Sequence, residues 1–215
     1  ILSLVVLAIV WAGGFLRTLD VKTEFVDKVL LRLVQPNIPQ KDKWQVQYRG
    51  RHFNNLLTLS SVNIQPGIVE QPTHIIWPET ATPFVLDGND PALRIIAQII
   101  PPNGALLTGS PRKTVVDKTT VKVWNSLHVV DSNANILATY NKSHLVPFGE
   151  YIPFRKYLDN FTSLIKLTRG RIDFSSGSGR RTISVPGAPP VSPLICYAVI
   201  FSGMGVSDRK KGAPT

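Results

Sequence analysis

Residues 74–80 read His74-Ile75-Ile76-Trp77-Pro78-Glu79-Thr80. The apolar run is short and ends at a proline, as a buried strand does when its ladder must stop. A carboxylate follows at once. Upstream, LLRLVQP at 30–36 reads as another buried strand ending at proline. Between them, residues 42–64 have a helical period, with Phe53, Leu56, Leu57 and Ile64 on one face. Downstream, Asp90-Pro91 is a helix start, an N-cap followed by proline at the first helical position. That helix is expected over 91–100, ending at Pro101-Pro102. Gly104 to Ser110 is a further apolar strand. Val121 to Asp131 and Ile136 to Tyr140 flank Ser132-Asn133-Ala134-Asn135, the pattern of a hairpin. Residues 152–180 are irregular and basic, and strands are expected over 181–185 and 191–196. Strands that alternate with helices and then form hairpins argue for a layered α/β domain.

Composition narrows the function classes. The chain has 215 residues, 43% apolar and 18% charged, which excludes a disordered chain. One cysteine excludes a disulfide framework and any multi-cysteine metal site. The four histidines, His52, His74, His128 and His144, show no metal-ligand spacing, and no phosphate-binding glycine loop occurs. No cofactor is implied. The net charge of +10 suits an anionic partner. The basic residues are dispersed and no nucleic-acid motif accompanies them, so anionic phospholipid is the better match. Residues 1–16, ILSLVVLAIVWAGGFL, carry no charge. They read as the end of a transmembrane helix, assigned to 1–19, with Trp11 at the interface. A buried helix and a signal-peptide core are the other readings of such a run. The first residue is Ile and the polar stretch at 207–212 lies near the end, so the chain is expected to be a fragment.

Three segments bear chemistry: Trp77-Pro78-Glu79-Thr80, then Asn141 to Tyr151 with Lys142 and HLVPFGEY at 144–151, then Pro193-Leu194-Ile195-Cys196-Tyr197. Singly, each has an ordinary structural reading: a turn carboxylate, a surface lysine, a buried small thiol. Together they supply what thiol-based acyl chemistry needs, namely a nucleophile, a base and a cation for the developing oxyanion.

These motifs, with QPNIPQ at 35–40 and Lys43-Trp44, resemble the nitrilase or carbon–nitrogen hydrolase superfamily over most of 29–201. Within it they are similar to the apolipoprotein N-acyltransferase family. The resemblance implies an α-β-β-α sandwich over a domain at 29–215, truncated at its C-terminus. It implies Glu79 as general base, Lys142 as transition-state cation and Cys196 as nucleophile. Glu150, Tyr197 and Trp44 correspond to supporting residues. It further implies a phospholipid acyl donor, a diacylglyceryl-cysteine apolipoprotein as acceptor, and a thioester acyl-enzyme. The implied location is the bacterial inner membrane, with the catalytic domain on the periplasmic side, and the implied state a monomer. A water-using amidase of the same fold, and an inactive lipid-binding relative, are the alternatives. The family reads Cys-Tyr-Glu where this chain has Cys196-Tyr197-Ala198. Lys142 is expected to favour the thiolate and make Cys196 more reactive than a free thiol.

Overall fold

The computed structural model describes residues 2–19, 22, 24–61, 71–117, 120–154 and 173–200. Its centre is a five-stranded sheet in sequence order. The strands are β1 (Leu31–Leu33), β2 (His74–Ile76), β3 (Ala105–Val115), β4 (Val121–Val130) and β5 (Ile136–Asn141). β1, β2 and β3 run parallel, and β3, β4 and β5 run antiparallel. The change of sense falls where the linking segments change length. Helical crossovers join the parallel strands and tight turns join the antiparallel ones. The β4–β5 turn is closed by Asp131, whose Oδ1 accepts from the Asn133 and Asn135 amides at 2.9 and 2.8 Å.

Side chains alternate across this sheet with period two, and each face has its own core. Ile75, Leu106 and Val130 join Leu56, Leu93 and Ile96, which come from α2 (Arg49–Ser61) and α3 (Asp90–Ala97). Ala105, Leu107, Val129 and Tyr140 point the other way. They pack on Ile183 and Val185 of a two-stranded sheet, β6 (Ile183–Val185) and β7 (Ala188–Val191). This is a mixed α/β arrangement of one helical layer and two sheets. A second helical layer, which the full sandwich requires, is not among the described residues.

Several expectations need correction. β1 is an edge strand of three residues among the described strands, with Leu31 50% and Leu33 72% exposed, so it is not buried. The helix cap lies one residue early: Asn89, not Asp90, accepts from the Ala92 amide, at 3.4 Å. The strand expected at 191–196 is instead β7, and Cys196 opens a short 3-10 turn, Cys196–Ile200. Ile64 lies outside the described residues. At the N-terminus the apolar run forms α1 (Leu2–Thr18), of 17 residues with none buried. At 1.5 Å per residue it is about 25 Å long. No described helix is long and apolar enough to cross a membrane.

His128, on the helix-facing side of β4, is fully buried, and its Nδ1 lies 2.9 Å from the Thr139 hydroxyl. Its Nε2 and the hydroxyls of Thr82 and Thr108 are buried without partners. Burial holds the imidazole down to about 4 from the ordinary 6.5; the Asp87 carboxylate opposes this and Arg112 adds to it. Between those values the unfolded chain binds the extra proton, so stability is lost as pH falls from 6.5 to 4. The His128 contribution to that loss approaches about 3 kcal/mol. Denaturant unfolding at pH 7 and pH 4.5 measures it, and His128→Gln should flatten the dependence by up to one proton.

Candidate active site

The site occupies the β6–β7 side of the large sheet, at the end where β2 stops. Odd-numbered residues of β3 and β4 face it, and Gly109 and Asn125 fall in that series. Gly109 lets the Pro78–Thr80 turn lie directly on the sheet. A Cβ there would stand 2.4 Å from the Thr80 nitrogen and 2.8 Å from Glu79 Cα. The turn is therefore seated on backbone, and Glu79 projects from it over the sheet face.

Lys142 follows β5 in the same alternation. Its side chain is 2% exposed, and its ammonium lies 2.8 Å from Glu150 Oε2. An unpaired buried ammonium would be costly, so the pair is obligatory. Glu150 is no hairpin-tip charge. Its carboxylate also accepts from the Val146 amide at 2.9 Å and from Asn125 Nδ2 at 3.0 Å. It thereby ties the 142–151 loop into a closed turn. The same Asn125 Nδ2 donates to Glu79 Oε1 at 2.5 Å. One amide thus bridges the two carboxylates, and the Asn125 carbonyl accepts the Lys142 amide at 2.9 Å. Asn125 Oδ1 is buried without a partner, an acceptor left over at the site.

Cys196 completes the group from the other side. It is exposed and reduced. Its φ of 54° lies in the left-handed region, which costs a non-glycine residue about 1–3 kcal/mol. Thr80 and Phe148, on the other two loops, have φ of 48° and 62°. Strained backbone thus marks all three loops. The charges of Glu79 and Lys142 both reach the Cys196 thiol. Burial pushes the thiol up, Glu79 pushes it further, and the Tyr197 amide and Lys142 pull it back. The result is a thiol above its ordinary value. Lys142 favours the thiolate, as expected, while burial and the Glu79 charge oppose it and outweigh it.

The structure brings Glu79, Lys142, Glu150 and Cys196 together. Tyr197 contributes its amide, while its side chain is 57% exposed. Trp44 lies in a turn, not a helix, and is 42% exposed. Beside it Lys43 Nζ donates to the Glu79 carbonyl at 2.9 Å. Burial lowers the Lys43 ammonium from its ordinary value, against the charges of Glu79 and Cys196. Sequence reading assigned no role to Asn125 or Lys43. Asn125 carried a signal, an asparagine inside an otherwise regular strand where that residue is disfavoured. Among the described residues no cluster of groups could hold a metal ion.

Two outcomes follow from this geometry. Gly109→Ala forces backbone against backbone and should lower the unfolding free energy by about 1–3 kcal/mol, measured by denaturant titration. Glu79→Gln removes the negative charge that holds the thiol up. The pH of half-maximal Cys196 alkylation should fall; an unchanged or higher midpoint counts against the Glu79–Cys196 contact.

Comparison with known proteins gives the family. The Carbon-nitrogen hydrolase profile matches residues 30–214. An apolipoprotein N-acyltransferase of Rhodopseudomonas palustris is 35% identical over 93% of this chain and 38% of its own length. One of Allorhizobium ampelinum is 41% identical over 81% of this chain and 33% of its own. The chain spans about a third of the length of these curated relatives. Among solved structures, an amidase of Nesterenkonia sp. AN1 superposes with a TM-score of 0.49 at 16% identity, covering 82% of this chain and 60% of that one. A CN-hydrolase superfamily protein of Xanthomonas campestris gives 0.41 at 18%, covering 80% and 53%. With its profile spanning the sheet, the Glu79 turn and the cysteine turn alike, the chain belongs to the carbon–nitrogen hydrolase family.

Proposed function

We propose that this chain carries the catalytic domain of an apolipoprotein N-acyltransferase, with Glu79, Lys142 and Cys196 as its triad. The observation that supports this most is the buried Lys142–Glu150 pair joined by Asn125 to the Glu79 carboxylate, with the charges of Glu79 and Lys142 reaching Cys196, in a chain similar to those enzymes. Glu79 takes the thiol proton as sulfur attacks an ester carbonyl of a membrane phospholipid. Lys142 and the Tyr197 amide face the developing negative charge. The ester C–O bond breaks, the lysophospholipid oxygen takes the proton from Glu79, and a thioester remains. The α-amine of a diacylglyceryl-cysteine apolipoprotein then attacks the thioester, giving up its proton to Glu79 as the C–S bond breaks, and the proton returns to sulfur. Ester and amine become amide and lysophospholipid, in two half-reactions.

Glu150 holds the Lys142 ammonium in place. Trp44 and the Tyr197 ring, both exposed, line the approach. We assign the catalytic domain to 29–215, with an α-β-β-α sandwich as its fold. Residues 1–19 are the end of a membrane helix: α1 presents apolar side chains on every side, which suits lipid and not water. The excess positive charge then lies against anionic headgroups. The enzyme acts as a monomer in the bacterial inner membrane, on the periplasmic side, without a cofactor and without nucleic acid.

Incubation with a phospholipid labelled in its acyl chain tests the reading. Label should appear on Cys196, be released by hydroxylamine, and be lost in Cys196→Ala. Glu79→Gln should slow its appearance by about 10²–10⁴-fold. Transfer of the label to an apolipoprotein amine completes the assignment. Release to water alone identifies a hydrolase, and no labelling identifies an inactive relative.

A further inference from the structure

The charges around Cys196 do not balance through Lys142 alone. Two carboxylates, Glu79 and Glu150, face the site, and Asn125 bridges them. Lys142 is held 2.8 Å from Glu150, so its charge is largely matched before the thiol ionises. The Glu79–Cys196 pair would carry a negative charge with no partner of its own. A second cation does reach it. Lys43 donates to the Glu79 carbonyl at 2.9 Å and is half-buried, and it enters from the 39–45 turn. The turn itself is closed by the Asp42 and Lys43 amides on the Pro39 carbonyl and by the Gln45 amide on Asp42.

We infer that Lys43 is the counter-cation of the Glu79–Cys196 pair, a positioning residue that acts through that pair and not on substrate. Its hydrogen bond to the main chain fixes where the ammonium stands, and no carboxylate among the described residues forms an ion pair with it. With Lys43 in place the site holds two cations and two carboxylates while the thiol is protonated. Removing one proton from sulfur, or forming an oxyanion, then adds a single negative charge between Lys43 and Lys142. Without Lys43 the same step would put that charge beside an unmatched carboxylate. The interaction is strong because the ammonium is partly removed from water, which weakens screening. Burial lowers the Lys43 ammonium from its ordinary value, and the charges of Glu79 and Cys196 oppose that lowering.

The inference rests on the proposed site, but its test reads the thiol alone and needs no acyl transfer. Cys196 is the only cysteine, so iodoacetamide reports on it directly. Alkylation rates across pH are measured for the full chain and for Lys43→Met, Lys43→Gln and Lys43→Arg. Met removes donor and charge, Gln keeps a donor without charge, and Arg keeps both. Met and Gln should raise the midpoint by about half a pH unit or more, a roughly threefold or greater loss of thiolate at fixed pH, and Arg should stay near the parent. In 1 M salt the difference between Gln and Arg should shrink. Thermal unfolding checks that each variant folds; if Met does not, Gln against Arg decides. A midpoint for Gln equal to that of the parent means the hydrogen bond alone matters and overturns the inference. So does an Arg midpoint as high as that of Gln.

Discussion

The buried Lys142 ammonium is the constraint around which the site is arranged. At 2% exposure it needs a partner to offset its loss of water, and Glu150 supplies one at 2.8 Å. That requirement pulls the 142–151 loop back onto the sheet, because Glu150 must return to within reach of the lysine eight residues before it. The loop closes with the Val146 amide on the same carboxylate. Asn125 then does double service. Its side-chain amide joins Glu150 to Glu79, and its carbonyl holds the Lys142 backbone. A group from β4 thus sets the separation between the loop after β2 and the loop after β5. These loops are far apart in sequence, and only the sheet register makes them neighbours.

Backbone conformation supplies the rest of the precision. Thr80, Phe148 and Cys196 are non-glycine residues in the left-handed region, one on each loop of the site. Each costs energy that the surrounding fold must offset. The two cores provide it, one between sheet and helices and one between sheet and β6–β7. At Cys196 the turn has a chemical consequence: it aims the Tyr197 amide at sulfur. At Thr80 it needs Gly109 beneath it, since any side chain there would meet main chain.

Much of this was legible in the sequence because period-two and helical patterns are local. β2, β3 and the β4–β5 hairpin lie where the apolar runs put them, and Leu56 takes the inward place that its helical face required. The end of β7 was not legible. Pro193, Leu194 and Ile195 look like strand continuation, but Pro193 cannot donate to a ladder, and the chain leaves the sheet before the cysteine. The thiol's direction was not legible either. A lysine and a cysteine in one motif set suggest a thiolate; only geometry shows that Glu150 engages the lysine first. Lys43, quoted only as part of a motif, and Asn125 received no role for the same reason, since their partners are set by contacts of high sequence separation.

Ala198 takes on a different meaning once the charges are counted. As a departure from Cys-Tyr-Glu it suggested a missing catalytic carboxylate. In the fold, residue 198 is 8% exposed and its amide donates to the Ile195 carbonyl within the cysteine turn. A carboxylate at that depth needs donors of its own, and Lys142 is already engaged by Glu150. It would also add a third negative charge close to a thiol that burial and Glu79 already push up. Alanine therefore suits the site as it stands: small enough for the turn, and neutral beside two carboxylates and two lysines. A chain with glutamate here would need a further cation or a more open turn to hold the same thiol at the same readiness. Alanine at this depth brings no charge that would need a donor, and it leaves the cysteine turn closed by its own amide on the Ile195 carbonyl.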